Sequence, residues 1–285
     1  RAATAQRPIN ARSTRPDHHM AALLNQLHGT NKNKLAVLKR LHEILDVGNS
    51  TEYEAILAAG AAVADNVVPM LAGAHALKLP AVEVIYLTLR GLEDTSDETT
   101  HPILGRAAPV AQALVKVLNQ ELTQGAQANA KLVRFAISAL DELTRAHSSV
   151  HAVAEAGAIV PCVQLCGSTA CTDTLEYAAT VLGHLAMSSL LPDGGERSYE
   201  DEVYEAGAVP PLVKLLQHTE SDVASQAARA LRMLVKVEEE DNDEVGDALV
   251  ENILGAVRVT LRDEMQVTVP QLISRSATDE LSLLQ

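Results

Sequence analysis

Histidine is the first residue type whose spacing in this sequence suggests chemistry. His147 and His151 are four residues apart, which would place two imidazoles on one face of a helix, as a zinc site requires. The two histidines flank a Ser-Ser-Val stretch at a predicted helix boundary, however. The sequence therefore predicts no metal site at this pair.

The cysteines are the second candidate group. Cys162, Cys166 and Cys171 are spaced C-x3-C-x4-C, which matches no common zinc pattern, and three thiols would need a fourth ligand. An odd number of cysteines in a chain of 285 residues favours a reducing compartment without a disulfide framework. We therefore expect buried, structural thiols.

Catalytic motifs are absent from the sequence. It contains no phosphate-binding loop, no H-E-x-x-H, no G-x-S-x-G and no dinucleotide-binding glycine set. Asp193, Gly194 and Gly195 are typical of a turn, because no predicted strand precedes them. Paired carboxylates such as Asp141 and Glu142 lie on predicted helix surfaces, where nothing places them around one reacting bond. The sequence predicts a protein that is not an enzyme and holds neither cofactor nor metal.

Composition points to packed helices. Apolar residues make up 47% of the chain, yet it has no Trp and a single Phe, Phe135. A core rich in Ala, Leu and Val suits closely spaced helices, since Ala and Leu are strong helix formers. The net charge of −14 argues against nucleic acid as a partner, and no apolar run reaches the roughly 18–20 residues of a membrane span.

A repeated phrase shows how these helices are organised. The segments VAEAGAIVPCVQL (153–165) and VYEAGAVPPLVKL (203–215) align with Gly157 and Gly207 at the same place. Weaker copies upstream place Gly60 and Ala108 there, so the repeat recurs at intervals of 48, 49 and 50 residues. A period of this size is typical of stacked repeat proteins.

Each copy predicts three helices. A short helix ends at the Gly-Ala element, where glycine tolerates the backbone conformation that ends a helix. An apolar helix follows, with Pro161, Pro210 and Pro211 in its first turn. A longer third helix carries apolar residues at helical spacing, and Asp173 and Asp222 are its expected N-caps in two copies.

Two pairs of segments carry a family resemblance. Residues 205–216 (EAGAVPPLVKLL) with 227–234 (AARALRML), and residues 155–165 with 178–185 (AATVLGHL), resemble the armadillo repeat. The resemblance implies an all-α fold, a right-handed α-solenoid of about four to six three-helix repeats. The expected organisation is a basic extended tail at 1–19, a repeat array at 20–265 and a C-terminal tail at 266–285. The repeats are expected near 20–50, 51–97, 98–147, 148–190, 200–237 and 246–263.

The resemblance also implies a site. In peptide-binding members, third helices line a concave groove with ladders of Trp and Asn. Neither ladder exists here: Leu87, Ser138, Thr180 and Arg229 stand at the Trp positions, and Gly91, Glu142, His184 and Met233 at the Asn positions. Glu83, Arg134, Glu176 and Ser225 make the lining mixed and mildly acidic, which is typical of a solvated face or of a dock for a basic or amphipathic helix. The candidate groove residues are Glu83, Leu87, Arg134, Ser138, Glu142, Glu176, Thr180, His184, Arg229 and Met233.

The stretch SLLPDGGERSYED (189–201) is a second candidate contact. It is a long insertion relative to the usual armadillo period, and insertions of this kind often carry partner-specific contacts. The candidate loop residues are Asp193, Glu196, Arg197 and Tyr199.

These features predict a non-catalytic protein-interaction scaffold, an accessory or structural subunit of a larger complex. Its expected partners are other protein subunits, bound through the groove, the long loops and the terminal tails. The alternative is a freestanding adaptor that binds a short linear motif or helix of a client protein in its groove.

The N-terminus bears on localisation. The first sixteen residues contain four Arg and no acidic residue, which is typical of mitochondrial targeting segments and their cleavage points, although a trimmed chain would look the same. We expect an intracellular, reducing location. The N-terminus favours a mitochondrial location, with the cytoplasm and the cilium as alternatives, and the larger complex is accordingly expected to be organellar or ciliary.

Overall fold

The computed structural model describes residues 14–48, 50–91, 101–187, 189–190 and 195–234, which are mostly helical. The chain divides into two compact units: unit 1 is Arg1–Pro161 with Ser188–Arg197, and unit 2 is Cys162–Met187 with Ser198–Gln285. The predicted repeat at 246–263 and the tail at 266–285 lie outside the described residues.

Unit 1 is built from packed helices, as the all-α prediction required. Single turns of 3₁₀ helix occur at Gln26–His28, Leu104–Arg106 and Gly125–Gln127. The α-helices are α1 (Thr14–Asn25), α2 (Asn31–Val47), α3 (Thr51–Ala58), α4 (Gly60–Leu71), α5 (His75–Arg90), α6 (Ala107–Gln124), α7 (Ala130–Arg145) and α8 (His147–Glu155).

The third helices of successive repeats form the spine of unit 1. Helix α5 packs against α2 on one side and against α7 on the other. Ile85 and Leu89 of α5 and Ile137 and Leu140 of α7 have no exposed area. Burying one such side chain stabilises the fold by about 1.5–3 kcal/mol, so this row of aliphatic residues holds consecutive repeats together.

Unit 2 repeats the arrangement on a smaller scale. Helix α9 (Ile159–Cys166) crosses the division, and α10 (Thr172–Leu185), α11 (Glu200–Glu205), α12 (Val209–Leu215) and α13 (Ser221–Leu234) follow. Helix α13 packs against α10, α11 and α12. A Cβ on Gly183 would lie 3.3 Å from the Cα of Ala230, so α10 and α13 approach closely because both residues are small.

The two Gly-Ala corners of the repeated phrase have the same geometry. Gly157 and Gly207 have φ of 82° and 78°, in the left-handed region. Ala158 N–H donates to Val153 and Gly157 N–H to Ala154, at 3.4 and 2.8 Å. The second copy repeats this with Ala208 to Val203 at 3.4 Å and Gly207 to Tyr204 at 2.9 Å. This pair of hydrogen bonds is the Schellman motif, which ends the first helix and turns the chain into the second.

Several boundaries differ from those expected. Helix α1 begins at Thr14, so the prediction of an extended tail is wrong for residues 14–19. Asp173 and Asp222 lie inside the first turns of α10 and α13 instead of capping them; Cys171 precedes α10 at the N-cap. Helix α8 begins at His147, at the end of the range expected for the preceding repeat.

The insertion between α10 and α11 contains a short antiparallel ladder in unit 1. Strands β1 (Ser189–Leu190) and β2 (Glu196–Arg197) pair Ser189 with Arg197 and Leu190 with Glu196. Across the described ranges this is the one strand pairing, and it lies in a connection outside the helical layers. No single helix in the described ranges is long and apolar enough to cross a bilayer; α3 with α4, and α8 with α9, reach that length and hydropathy only as bent pairs.

The corner motif gives a stability prediction. We expect Gly207→Ala to lower the free energy of unfolding by about 1 kcal/mol, because an L-residue disfavours positive φ. Gly105→Ala is the control, since a Cβ at Gly105 meets open space and its φ is not positive. Urea denaturation followed by far-UV circular dichroism measures both. An equal loss in the two variants would contradict the role of the corner.

A buried imidazole gives a pH prediction. His101 is 7% exposed, and burial lowers its pKa below the ordinary 6.5. Its Nδ1 accepts a hydrogen bond from the Ile103 N–H at 3.3 Å, so the folded chain favours the neutral ring. The unfolded chain takes up a proton that the folded chain resists. The contribution of His101 to the free energy of unfolding is therefore at its full value above pH 6.5, and it falls as the pH drops below 6.5.

We expect His101→Gln to reduce the loss of stability between about pH 7.5 and about pH 5.5, measured as the shift of the urea midpoint. The exposed His75 provides the control variant His75→Gln, which should leave the pH dependence as it is in the parent chain. Identical pH profiles for all three proteins would refute the assignment.

Candidate functional site

The outer surface of the third helices α5 and α7 in unit 1 carries an aromatic and cationic cluster. The rings of Tyr86 and Phe135 lie 5.5 Å apart between centroids, tilted by 57°. The guanidinium carbon of Arg134 lies 4.7 Å from the Phe135 centroid, and the ammonium of Lys131 lies 5.5 Å from it. Cations at these distances are attracted by the ring face. We call the surface formed by Tyr86, Arg90, Lys131, Arg134, Phe135 and Arg145 the α5–α7 face.

The acidic residues of these two helices lie beneath the basic ones. The side chain of Glu83 is 11% exposed, and its Oε1 lies 2.7 Å from the Nζ of Lys131, whose side chain is 57% exposed. The Asp141 and Glu142 side chains are 1% and 9% exposed, and Arg145 reaches them at 3.2 and 3.6 Å with 46% of its own side chain exposed. Each pair therefore presents its cation to solvent.

The charge of the face is opposite in sign to that of the chain. The face holds four basic residues above the three acidic ones, Glu83, Asp141 and Glu142, which gives a net charge of +1, whereas the chain carries −14. Arg90 is exposed as well. A partner approaching this face therefore meets mainly positive charge, although the protein as a whole is acidic.

The hydroxyl of Tyr86 is influenced by charged residues of both helices. Burial raises the pKa of its hydroxyl, and the carboxylate of Glu142 raises it further. The positive charges of Arg90, Arg134 and Arg145 act in the opposite direction on the same hydroxyl. Because burial is the largest of these effects, the pKa of Tyr86 lies above its ordinary value of 10.

The structure brings the five groove candidates of unit 1 onto these two helices, but four of them are largely buried. Leu87 and Ser138 are 7% and 4% exposed, and the Ser138 hydroxyl donates to the Arg134 carbonyl at 2.8 Å. Glu83 and Glu142 act as the counterions described above. Arg134 is the candidate that reaches the surface, so the expected mildly acidic lining is wrong for unit 1.

A cavity lies where the C-terminal ends of α2 and α5 meet α3. It has a volume of about 210 Å³ and is lined by Leu45, Asp46, Gly48, Tyr53, Leu87, Arg90 and Gly91. Leu87 and Gly91 occupy the positions where the resemblance implied Trp and Asn. Small and aliphatic residues therefore form a recess at these ladder positions.

The other five groove candidates lie on α10 and α13 of unit 2. Glu176, Thr180 and His184 are half-buried on α10, and the Thr180 hydroxyl donates to the Glu176 carbonyl at 2.9 Å. Arg229 is exposed and Met233 half-buried on α13. Since α10 and α13 pack together, these residues share one pair of neighbouring helices.

The loop candidates have different surroundings. Glu196 and Arg197 are exposed, and Arg197 lies 3.8 Å from Glu155. Tyr199 is 2% exposed and its N–H donates to the Leu185 carbonyl at 3.1 Å, so the prediction of a partner contact there is wrong because the residue anchors the loop. Asp193 lies outside the described residues.

Histidine and cysteine do not form a reactive centre in the part of the chain that the structure describes. His147 and His151 lie one turn apart on α8, but no group of three metal-binding side chains occurs among the described residues. Cys162 and Cys166 are buried, and burial raises the pKa of Cys166 to about 12. Cys171 is exposed, so the expectation of a buried thiol is wrong there.

Sequence reasoning missed Tyr86, Arg90, Lys131, Phe135 and Arg145 as a group. Phe135 was noted only as the single Phe, although it directly follows Arg134 and lies one turn after Lys131. An isolated aromatic residue that directly follows two cations on a third helix was the available signal.

Comparisons with known proteins agree with this architecture. Residues 198–235 match the sequence model of the Armadillo/beta-catenin-like repeat. No curated protein matches the chain by sequence. A crystal structure of an engineered protein is similar with a TM-score of 0.57 at 20% identity, covering 88% of this chain and 91% of that one.

Two further solved structures are armadillo designs. A designed armadillo repeat protein in complex with the peptide (KR)4 gives a TM-score of 0.53 at 18% identity, covering 86% of this chain and all of that one. A computationally designed armadillo repeat protein for modular peptide recognition gives a TM-score of 0.56 at 19% identity, covering 82% of this chain and 98% of that one. Three-helix repeats, paired Gly-Ala corners and the match over residues 198–235 together show that the chain has an armadillo-repeat fold.

Proposed function

We propose that this protein is a non-catalytic interaction scaffold, an accessory subunit of a larger assembly, and that the α5–α7 face of unit 1 binds a segment of a partner protein. The observation that supports the proposal most directly is the arrangement of the exposed Lys131 and the half-buried Arg134 around Phe135. Tyr and Arg are enriched among the residues that contribute most to binding energy at protein interfaces.

The fold supports a role in protein binding. Stacked repeats expose much surface for their length, and the designed armadillo proteins similar to this chain include one in complex with a peptide and one designed for peptide recognition. Within the described residues the ionisable groups are counterions, isolated buried groups such as His101 and Cys166, or dispersed surface residues. Binding therefore accounts for the arrangement better than catalysis.

A freestanding adaptor is the second candidate, and the same face favours it equally. The two differ in the lifetime of the complex. Native gel electrophoresis of a gentle extract separates them: migration with a large complex favours the subunit, and migration as a monomer favours the adaptor. A mitochondrial, cytoplasmic or ciliary location is a further proposal, and fractionation of the same extract tests it.

Site-specific photocrosslinking tests whether the α5–α7 face binds a protein. We expect Phe135→p-benzoylphenylalanine to give a discrete crosslinked adduct in cells, because the ring lies at the centre of the face. The same photoreactive residue at Lys116, exposed on α6, is the control. Adducts at residue 116 but not at 135, or at neither position, would refute this face as the binding surface.

A further inference from the structure

The recess at the C-terminal ends of α2 and α5 is lined by two side chains of opposite charge that do not pair with each other. Asp46 lies in the last turn of α2 and Arg90 in the last turn of α5, and both line the cavity of about 210 Å³. Going beyond the scaffold role, we propose that this recess binds a free aliphatic α-amino acid as its zwitterion. The ammonium binds Asp46, the carboxylate binds Arg90, and the side chain packs on the aliphatic residues of the recess.

The α2 side of the recess favours a cation. The C-terminus of a helix carries partial negative charge, which a nearby cation stabilises. The last turn of α2 contains Asp46 and no basic residue. Within the described residues, Gly48 at the C-cap donates no hydrogen bond back to that turn. A carboxylate and a helix C-terminus therefore meet at this wall, and an ammonium group offers them one positive charge and three N–H donors.

The α5 side supplies the group that binds an anion. Arg90 is exposed and forms no ion pair or hydrogen bond with the described part of the chain. By contrast, Arg106 and Arg145 are each held by a carboxylate, at 2.6 and 3.2 Å. Asp46 is exposed and has no ion pair within the same ranges. A guanidinium group binds a carboxylate through two parallel hydrogen bonds, so Arg90 is free to hold the carboxylate of a ligand.

The two unpaired charges exclude a ligand that carries a single charge. An anion would be attracted by Arg90 but repelled by Asp46, and a cation would meet the opposite combination. A zwitterion satisfies both groups at once. In an α-amino acid both charged groups are attached to one carbon atom, so a small molecule carries the two charges into a small recess.

The size and the apolar residues of the recess select the rest of the ligand. Leu45 and Leu87 are 5% and 7% exposed, and the ring of the buried Tyr53 adds a third apolar surface. A cavity of about 150 Å³ holds benzene, which has six heavy atoms, so about 210 Å³ holds eight or nine in proportion. Valine and leucine have these numbers of heavy atoms. The recess therefore suits an aliphatic amino acid of this size.

The recess is also set in shape before a ligand binds. A Cβ on Gly91 would lie 2.5 Å from the Cδ2 atom of Leu57 and 3.0 Å from the hydroxyl oxygen of Tyr53. The end of α5 therefore packs directly on α3, which limits the movement of this part of the lining. A ligand that enters a preformed recess loses less binding energy to ordering the protein.

Ligand-observed NMR titration of the purified full chain with L-leucine tests the proposal. Two ligands of nearly equal size each lack one charge: L-2-hydroxy-4-methylpentanoate has a hydroxyl in place of the ammonium, and L-leucinamide has an amide in place of the carboxylate. We expect leucine to bind saturably below about 10 mM, and each analogue to bind at least about tenfold more weakly. The absence of saturable leucine binding, or equal affinity for the three ligands, would overturn the proposal.

Two isosteric substitutions assign each contact. Asp46→Asn should weaken leucine by about tenfold and remove the preference for leucine over the hydroxy acid. Arg90→Gln should weaken leucine similarly and remove the preference for leucine over leucinamide. A change in the shape of the recess alone would weaken all three ligands alike in both variants. That result would contradict the assignment of the two charges.

A charge-matched variant elsewhere on the chain provides the control. Asp201→Asn with Lys214→Gln removes two exposed charges of unit 2 and should change the affinity for leucine by less than about twofold. Thermal melts check that each variant folds. Weakening by the control equal to that of Asp46→Asn would show nonspecific charge effects and overturn the proposal.

A dipeptide distinguishes a free amino acid from a chain terminus. In leucyl-leucine the ammonium and the carboxylate belong to different residues, so it should bind at least about tenfold more weakly than leucine. Tighter binding of the dipeptide would overturn the assignment to a free amino acid. The photocrosslink at residue 135 does not depend on leucine, so this proposal and the proposed scaffold function fail separately.

Discussion

The contact between consecutive third helices is the constraint on which the rest of this protein depends. Neither unit has a Trp to fill its core, so the helices must approach until small aliphatic side chains meet. In unit 1 this contact is made by α5 with α2 and α7; in unit 2 it is made by α10 with α13, where Gly183 faces Ala230. Because one side of each third helix is committed to this packing, its opposite side is fixed in position and available for a partner.

The sequence predicted the repeat architecture because the corner between the first and second helices is formed by residues that are close together in sequence. Gly157 and Gly207 must have positive φ, and the same hydrogen bonds form around both, so one short phrase recurs wherever the turn recurs. The start of α1 at Thr14 and the caps of α10 and α13 were less predictable. Helix termini depend on a few weak interactions that neighbouring residues can also provide.

The candidate site was predicted only in part. The alignment placed Glu83, Arg134 and Glu142 correctly on the third helices, but it could not give the depth of each side chain. Depth depends on pairing between different helices: Lys131 covers Glu83, although 48 residues separate them in sequence. Hence a surface that appears mixed in sequence is cationic in the fold. The aromatic pair joins residues of two different helices, α5 and α7, so the sequence alone did not indicate that they are in contact.

The stacking of Arg134 and Lys131 on a single ring has a consequence for the entropy of association. A long side chain that moves freely loses up to about 2 kcal/mol of rotamer freedom when a complex immobilises it. Here Phe135 and Glu83 already restrain these two side chains before any partner arrives. Much of that ordering is therefore completed during folding, and an incoming segment meets a surface whose shape is set in advance.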